Sequence, residues 1–245
     1  VKLADGIPFG YGSATGEGVM DVDGVGPYEQ APSPDTDIDN DDNGNQMDYM
    51  IMSDVVSLTL NNEPINDGDK DNQSNLSVDF GLFQLLRLGN LVWEDYNNNG
   101  IHDTNEPGIE GVETILYQAG PDNIKGNEDD VEIDRMLTDE NGHYIFVRLL
   151  PGEYYVKLNS GIDNYNSSTG EGIDKVTGDG KFETAPDPDN DVDEEDNGTQ
   201  MGAMVMSDLI MLEFMNEPTS EDNFVNSNFT LDFGLFQPLA IGNLV

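Results

Sequence analysis

The chain repeats itself, and the repeat constrains every other reading of it. DFGLFQLLRLGNLV, from Asp79 to Val92, returns 153 residues later as DFGLFQPLAIGNLV, from Asp232 to Val245. SSTGEG from Ser167 answers SATGEG from Ser13, and DNG at Asp196 answers DNG at Asp42, both 154 residues on. VKL at Val1 matches VKL at Val156, 155 residues on, so the copies differ by single-residue insertions. The unit is about 150 residues, the size of one domain. The 245 residues then divide into 1–86, the rear of one unit; 87–240, a complete unit; and 241–245, the opening strand of a third. Phe236–Leu239 runs straight into Ile241 with almost no spacer, which favours a stiff array over flexibly linked beads. Such a chain reads as a piece of a longer tandem protein.

Period-two alternation dominates and helix signals are weak. Phe229, Leu231, Phe233 and Leu235 alternate with Asn228, Thr230 and Asp232, and Leu76, Val78, Phe80 and Leu82 repeat the pattern. Tyr154, Val156 and Leu158 alternate with Tyr155 and Lys157. Further strands are predicted near 88–93, 111–117, 131–138, 143–148 and 200–215, joined by clusters of Gly, Asn, Asp and Pro. The turn Asp139-Glu140-Asn141-Gly142 predicts a hairpin that needs no metal. Short strands at this spacing mean an all-β sandwich. Met50 and Met52, like Met204 and Met206, sit two apart and read as fillers of an irregular core rather than a copper site. Trp93 and the tyrosines read as core or strand-face residues.

Charge narrows the function. Fifty acidic and nine basic residues give a net charge of −41, which excludes a nucleic-acid binder driven by counterion release and points to cations. With no Cys there is no disulfide or thiolate site, and two histidines, His102 and His143, make a zinc hydrolase or Ser-His-Asp enzyme a poor fit. No segment has the roughly 18 apolar residues of a spanning helix.

The acidic residues are grouped. Asp95-Tyr96-Asn97-Asn98-Asn99-Gly100-Ile101-His102-Asp103-Thr104-Asn105-Glu106 satisfies D-x-[DN]-x-[DN]-G-x5-E without a mismatch. Asp95, Asn97, Asn99, Asp103 and Glu106 supply oxygens at loop positions 1, 3, 5, 9 and 12, and Ile101 a carbonyl at 7, a donor set that suits Ca²⁺. It follows a strand rather than a helix, so it predicts an EF-hand-like loop without the helices. A second run, Asp35, Asp37, Asp39, Asp41 and Asp42, is matched by Asp189, Asp191, Asp193, Glu195 and Asp196. Such charge density would ordinarily mark a disordered tail, but the runs recur in register between strands, which predicts a bound cation. Weaker candidates are Asp122, Glu128, Asp129 and Asp130, and the run Asp67, Asp69 and Asp71.

These segments resemble the SdrD B-type, calcium-binding repeats of bacterial surface adhesins, related to the Cna-B sandwich. The resemblance rests on LGNLVWEDYNNNGIHDTNEPGIEGV (Leu88–Val112), LTDENGHYIFVRLLPGEYYVKL (Leu137–Leu158) and NSNFTLDFGLF (Asn226–Phe236). It implies tandem Ig-like or prealbumin-like β-sandwich repeats with long calcium-binding loops and several Ca²⁺ per repeat, serving as a stalk or filament on or outside a bacterial cell. The implied partners are neighbouring repeats of the same chain and further copies in a filament, with no nucleic acid and no membrane span. Some Cna-B relatives carry a Lys–Asn crosslink with the Lys on the opening strand, but Arg87–Trp93 has no Lys, which leaves calcium as the expected staple. Two other classes compete. A ligand-binding adhesin domain would need a concave aromatic patch, and no segment stands out as one. An enzyme would pair carboxylates in a pocket, whereas here they recur at turns.

Overall fold

A computed structural model describes residues 1–3, 10–13, 31, 33–35, 42–47, 50–65, 67–168, 185, 187–189, 194–218 and 225–238. The chain divides into two compact units, Val1–Leu85 and Leu86–Val245. All regular structure among the described residues is strand, and the expected opening strand at 241–245 lies outside them.

Unit 1 contains β1 (Tyr11–Ser13), β2 (Gly44–Met47), β3 (Met50–Ser53) and β4 (Leu82–Gln84). β1 pairs with β4 and β2 with β3, all antiparallel. Unit 2 holds β5 (Leu86–Glu94), β6 (Glu113–Gln118), β7 (Val131–Leu137), β8 (His143–Leu149) and β9 (Gly152–Ser160). It continues with β10 (Asn166–Ser167), β11 (Thr199–Met201), β12 (Met204–Met206), β13 (Ile210–Leu212), β14 (Ser227–Asn228) and β15 (Phe233–Phe236).

Two sheets face each other across the core of unit 2. In one, β5 is central, flanked by β8 on one edge and by β14 and β15 in succession on the other. The second sheet runs β11-β12-β9-β6-β7, with β13 also pairing β9. Alternation decides which side chains meet. Leu88, Phe146, Phe233 and Leu235 from the first sheet pack against Leu116, Val156, Leu158 and Val205 from the second, all fully buried. Apolar burial at about 25 cal/mol per Å² is what holds this sandwich closed.

Three sequence expectations are refined. The 139–142 turn forms, with the Gly142 N–H donating to the Asp139 carbonyl at 3.0 Å, but it is not a hairpin: β7 belongs to the second sheet and β8 to the first. Turn chemistry fixes a reversal and says nothing of sheet membership. The 228–235 alternation does not run as one strand: residues 229–232 lie between β14 and β15, and Asp232 turns inward to accept the Leu91 N–H (3.0 Å) and the Glu194 N–H (2.9 Å). The methionine pairs are not simply core: Met206 is buried, but Met204 and Met50 stand on the surface.

The chain passes closely at Gly108, which bridges to Trp93. A Cβ there would lie 1.7 Å from the Asn141 carbonyl oxygen, backbone that cannot yield. Gly108→Ala is expected to cost about 3 kcal/mol or more, read from the urea midpoint. A loss below about 1 kcal/mol would show that the two loops are free to separate.

Candidate calcium loop and its surroundings

The loop after β5 is organised around two buried carboxylates. Asp95 is 1 % exposed. Its Oδ1 accepts the Asn97 N–H at 3.1 Å and its Oδ2 the Gly100 N–H at 2.8 Å. Its own N–H donates to the Leu235 carbonyl at 2.8 Å, fixing the loop to β15. Glu106 folds back across the opening and accepts from the Tyr96 N–H (2.9 Å) and the Asp103 N–H (3.0 Å). Asn98 (φ 54°) and Gly100 (φ 73°) are left-handed, which curls the intervening backbone so that successive N–H groups point inward. Asn97 and Asn99 direct their Nδ2 atoms at Asp103 Oδ2, 2.7 and 3.2 Å away. All six residues singled out in this motif thus lie in one closed loop. Its carboxylates are turned onto N–H donors, and among the described residues no three His, Cys, Asp or Glu side chains converge as a ready metal site. The donor set, three carboxylates, two carboxamides and a carbonyl, is chemically that of a hard cation. Half a turn of either amide about χ2 would present Oδ1 in place of Nδ2.

The structure joins this loop to the second acidic run. Ile101 bridges to Glu195, the Asp196 N–H donates to the Gly100 carbonyl (2.9 Å) and the His102 N–H to the Glu194 carbonyl (2.9 Å). Two features far apart in the chain therefore form one acidic corner, and the nearby Asp95 charge adds to the burial that pushes the Asp196 carboxyl well up.

Asp196 itself is the centre of a knot. Its Oδ2 accepts from Ser167 Oγ (3.0 Å), and its Oδ1 from the N–H groups of Gly198 (2.9 Å) and Gly234 (3.1 Å). Unit 1 repeats the arrangement at Asp42, with Ser13 Oγ (2.9 Å), the Gly44 N–H (2.9 Å) and the Gly81 N–H (3.1 Å). The recurring Ser, DNG and DFG segments carried this signal in the sequence.

The remaining candidates are scattered. Asp35 accepts the Ser57 N–H and Asp189 the matching Met211 N–H. Asp37, Asp39, Asp41, Asp191 and Asp193 lie outside the described residues. Asp130 gathers the N–H groups of Gly120 and Asn127 and the Tyr155 hydroxyl, while Asp122 and Asp129 stay exposed in the same loop. Asp67 is buried with Oδ2 on the Leu76 N–H and Oδ1 unpartnered, and Asp69 and Asp71 close local turns.

Sequence reasoning missed Glu63 and Glu217, buried equivalents in the two units. Each belongs to a recurring Asn-Glu-Pro. Burial pushes the Glu217 carboxyl up to about 7, helped by the negative charges of Asp189 and Glu213, and against the Glu213 N–H that it accepts. Because the folded value lies above the unfolded one, the stability it contributes is complete below about pH 4.5 and is lost as the pH rises through about 7. In chelator, the urea midpoint should fall between pH 5 and pH 8, and Glu217→Gln should make that fall smaller. An unchanged fall in the variant would remove Glu217 as its source.

Residues 86–204 match the family model described as the SdrD B-like domain. Serine-aspartate repeat-containing protein I of Staphylococcus saprophyticus is 33% identical over 141 residues, covering 57% of this chain and 7% of that protein. Protein C of Staphylococcus aureus (strain Newman) is 35% identical over 132 residues, 54% of this chain and 12% of that protein. Protein F of Staphylococcus epidermidis is 33% identical over 168 residues, 62% and 9%. The chain thus spans about a tenth of these relatives. Among solved structures, the shaft pilin SpaA of Lactobacillus rhamnosus GG aligns with a TM-score of 0.35 at 10% identity, over 63% of this chain and 51% of that one. Residues 86–204, which run from β5 to the start of β12 in the unit 2 sandwich, are thus those of an SdrD B-like domain.

Proposed function

We propose that the chain is a structural repeat of an extracellular bacterial surface protein, non-enzymatic, whose sandwiches are stiffened by Ca²⁺. The observation that carries this reading is the loop from Asp95 to Glu106, which keeps six oxygen-bearing groups in one curl anchored to β15 and organised on the buried Asp95 and Glu106 carboxylates. When bound, Ca²⁺ would draw the carboxylates and carboxamides inward. Asp95 would shape the loop through its N–H bonds, Glu106 would close it, and Asp103 with the two asparagines would swing to complete it. Extracellular modules bind Ca²⁺ with dissociation constants of about 10⁻⁴ to 10⁻³ M, so such a loop is empty in cytosol and filled outside. The tandem repetition of the sequence with almost no spacer supports a stalk or filament rather than separate beads. The family match and the serine-aspartate repeat proteins it resembles support the surface location.

Trp93, the sole tryptophan, is buried two residues before Asp95 with its ring 5.6 Å from that of His102, so it reports on the loop. Adding Ca²⁺ to chelated protein should shift its emission with a midpoint between about 0.1 and 1 mM. Emission that stays constant up to 10 mM would count against ion binding here.

A further inference from the structure

The outer face of the second sheet carries a cleft that the stalk reading does not use. Tyr117 and Tyr155 sit opposite each other on β6 and β9, and their rings stack at 5.1 Å and 8°. Two residues along β9, Lys157 lies opposite Met206 of β12, and Met201 of β11 lies opposite Met204. These six side chains line a cavity of about 260 Å³. The loop after β6 forms its rim: an added Cβ at Gly126 would lie 3.5 Å from the Met206 methyl.

Its chemistry is unlike the rest of the surface. The chain has fifty carboxylates and nine cations, yet two of those cations, Lys125 and Lys157, line this one cleft. Lys125 is bound by Asp208 and the Ser207 carbonyl. Lys157 is half-buried and makes no hydrogen bond or ion pair with any described residue. Tyr155 is fixed from behind, its hydroxyl held by Asp130 at 2.8 Å, and is 2 % exposed. A flat ring can lie against tyrosine and thioether surfaces, whose contacts with aromatics are favourable. An anion is what an unpaired ammonium lacks. Unit 1 repeats part of the pattern: Lys2 bridges to Met52, and Met47, Met50 and Met52 correspond to Met201, Met204 and Met206, although the residues between them change from Asp48-Tyr49 to Gly202-Ala203.

We propose that this cleft binds a small aromatic carboxylate, with the ring between the tyrosines and methionines and the carboxylate on the Lys157 ammonium. The volume suits a single ring with a short acidic arm rather than a larger ligand. The inference does not depend on Ca²⁺ at the Asp95 loop.

The test is a titration of the whole chain, with methyl-labelled methionines, in the presence of Ca²⁺. The probe is 3-phenylpropionate, with 3-phenylpropanamide and propionate as controls. The expected result is saturable movement of the Met201, Met204 and Met206 methyl signals with a dissociation constant on the order of 1 mM, and little movement of Met211 or Met215. The amide, which keeps the ring and loses the charge, and propionate, which keeps the charge and loses the ring, should each bind about tenfold more weakly. Lys157→Met should reduce the affinity by a similar factor, about tenfold, without lowering the melting temperature. Equal binding of acid and amide, unchanged binding by Lys157→Met, or shifts spread over all methionines would overturn the proposal.

Discussion

If the loops bind Ca²⁺ as proposed, chelation is expected to lower the melting temperature of the chain by about 5 to 10 °C for each strong site emptied. A site whose ligand stands a hundredfold above its dissociation constant contributes about 2.7 kcal/mol. One kcal/mol moves the midpoint of a domain of this size by about 2 to 4 °C. Calorimetry in EGTA and in millimolar Ca²⁺ measures the difference directly, and Mg²⁺ should restore little of it because it demands a tighter octahedron and sheds water reluctantly. Asp103→Ser separates ligation from folding. Asp103 is exposed and touches only the Asn97 and Asn99 side chains and the Glu106 turn. The variant should melt within about 2 °C of the parent in EGTA and show most of the calcium gain removed. Equal midpoints in EGTA and in calcium would remove the proposed stiffening.

Asp196→Ala is expected to destabilise unit 2 by about 2 to 4 kcal/mol, with or without calcium. The substitution strands the buried Gly198 and Gly234 N–H groups, while the Ser167 hydroxyl keeps the Gly198 carbonyl at 2.7 Å. Each orphaned donor costs about 1 to 3 kcal/mol, and the two share one site and do not add fully. Asp196→Asn keeps one acceptor oxygen and should fall between. Urea unfolding followed at Trp93 reads the change, and a loss under 1 kcal/mol in EGTA would show that the knot is not what holds these three segments together.

The sandwich was legible because its strands alternate cleanly. Val156, Leu158, Phe233 and Leu235 all reach the core that their alternation assigned them. That Asp95 to Glu106 close into one loop was legible because these residues are close in sequence, so one curl gathers them. What the pattern could not show was partnership over distance. Asp196 counts as one carboxylate in an acidic run until the fold brings Ser167 and Gly234 to it, one from 29 residues before and one from 38 residues after. The hairpin expected at 139–142 failed for the same reason, since a turn cannot tell which sheet its second strand will join. The Tyr117–Tyr155 cleft was hidden because its walls come from four strands, each of which alone shows only ordinary alternation.

β5 and β15, the first and last strands of unit 2 among the described residues, lie side by side and run in the same direction, Val92 beside Phe233 and Glu94 beside Leu235. Tension applied along the polymer would pull Leu86 one way and Phe236 the other. The hydrogen bonds between them would then be loaded together in shear, instead of peeling open one at a time. Forced rupture is governed by the unfolding rate rather than by equilibrium stability, so under the proposed stalk function this arrangement would slow rupture under drag.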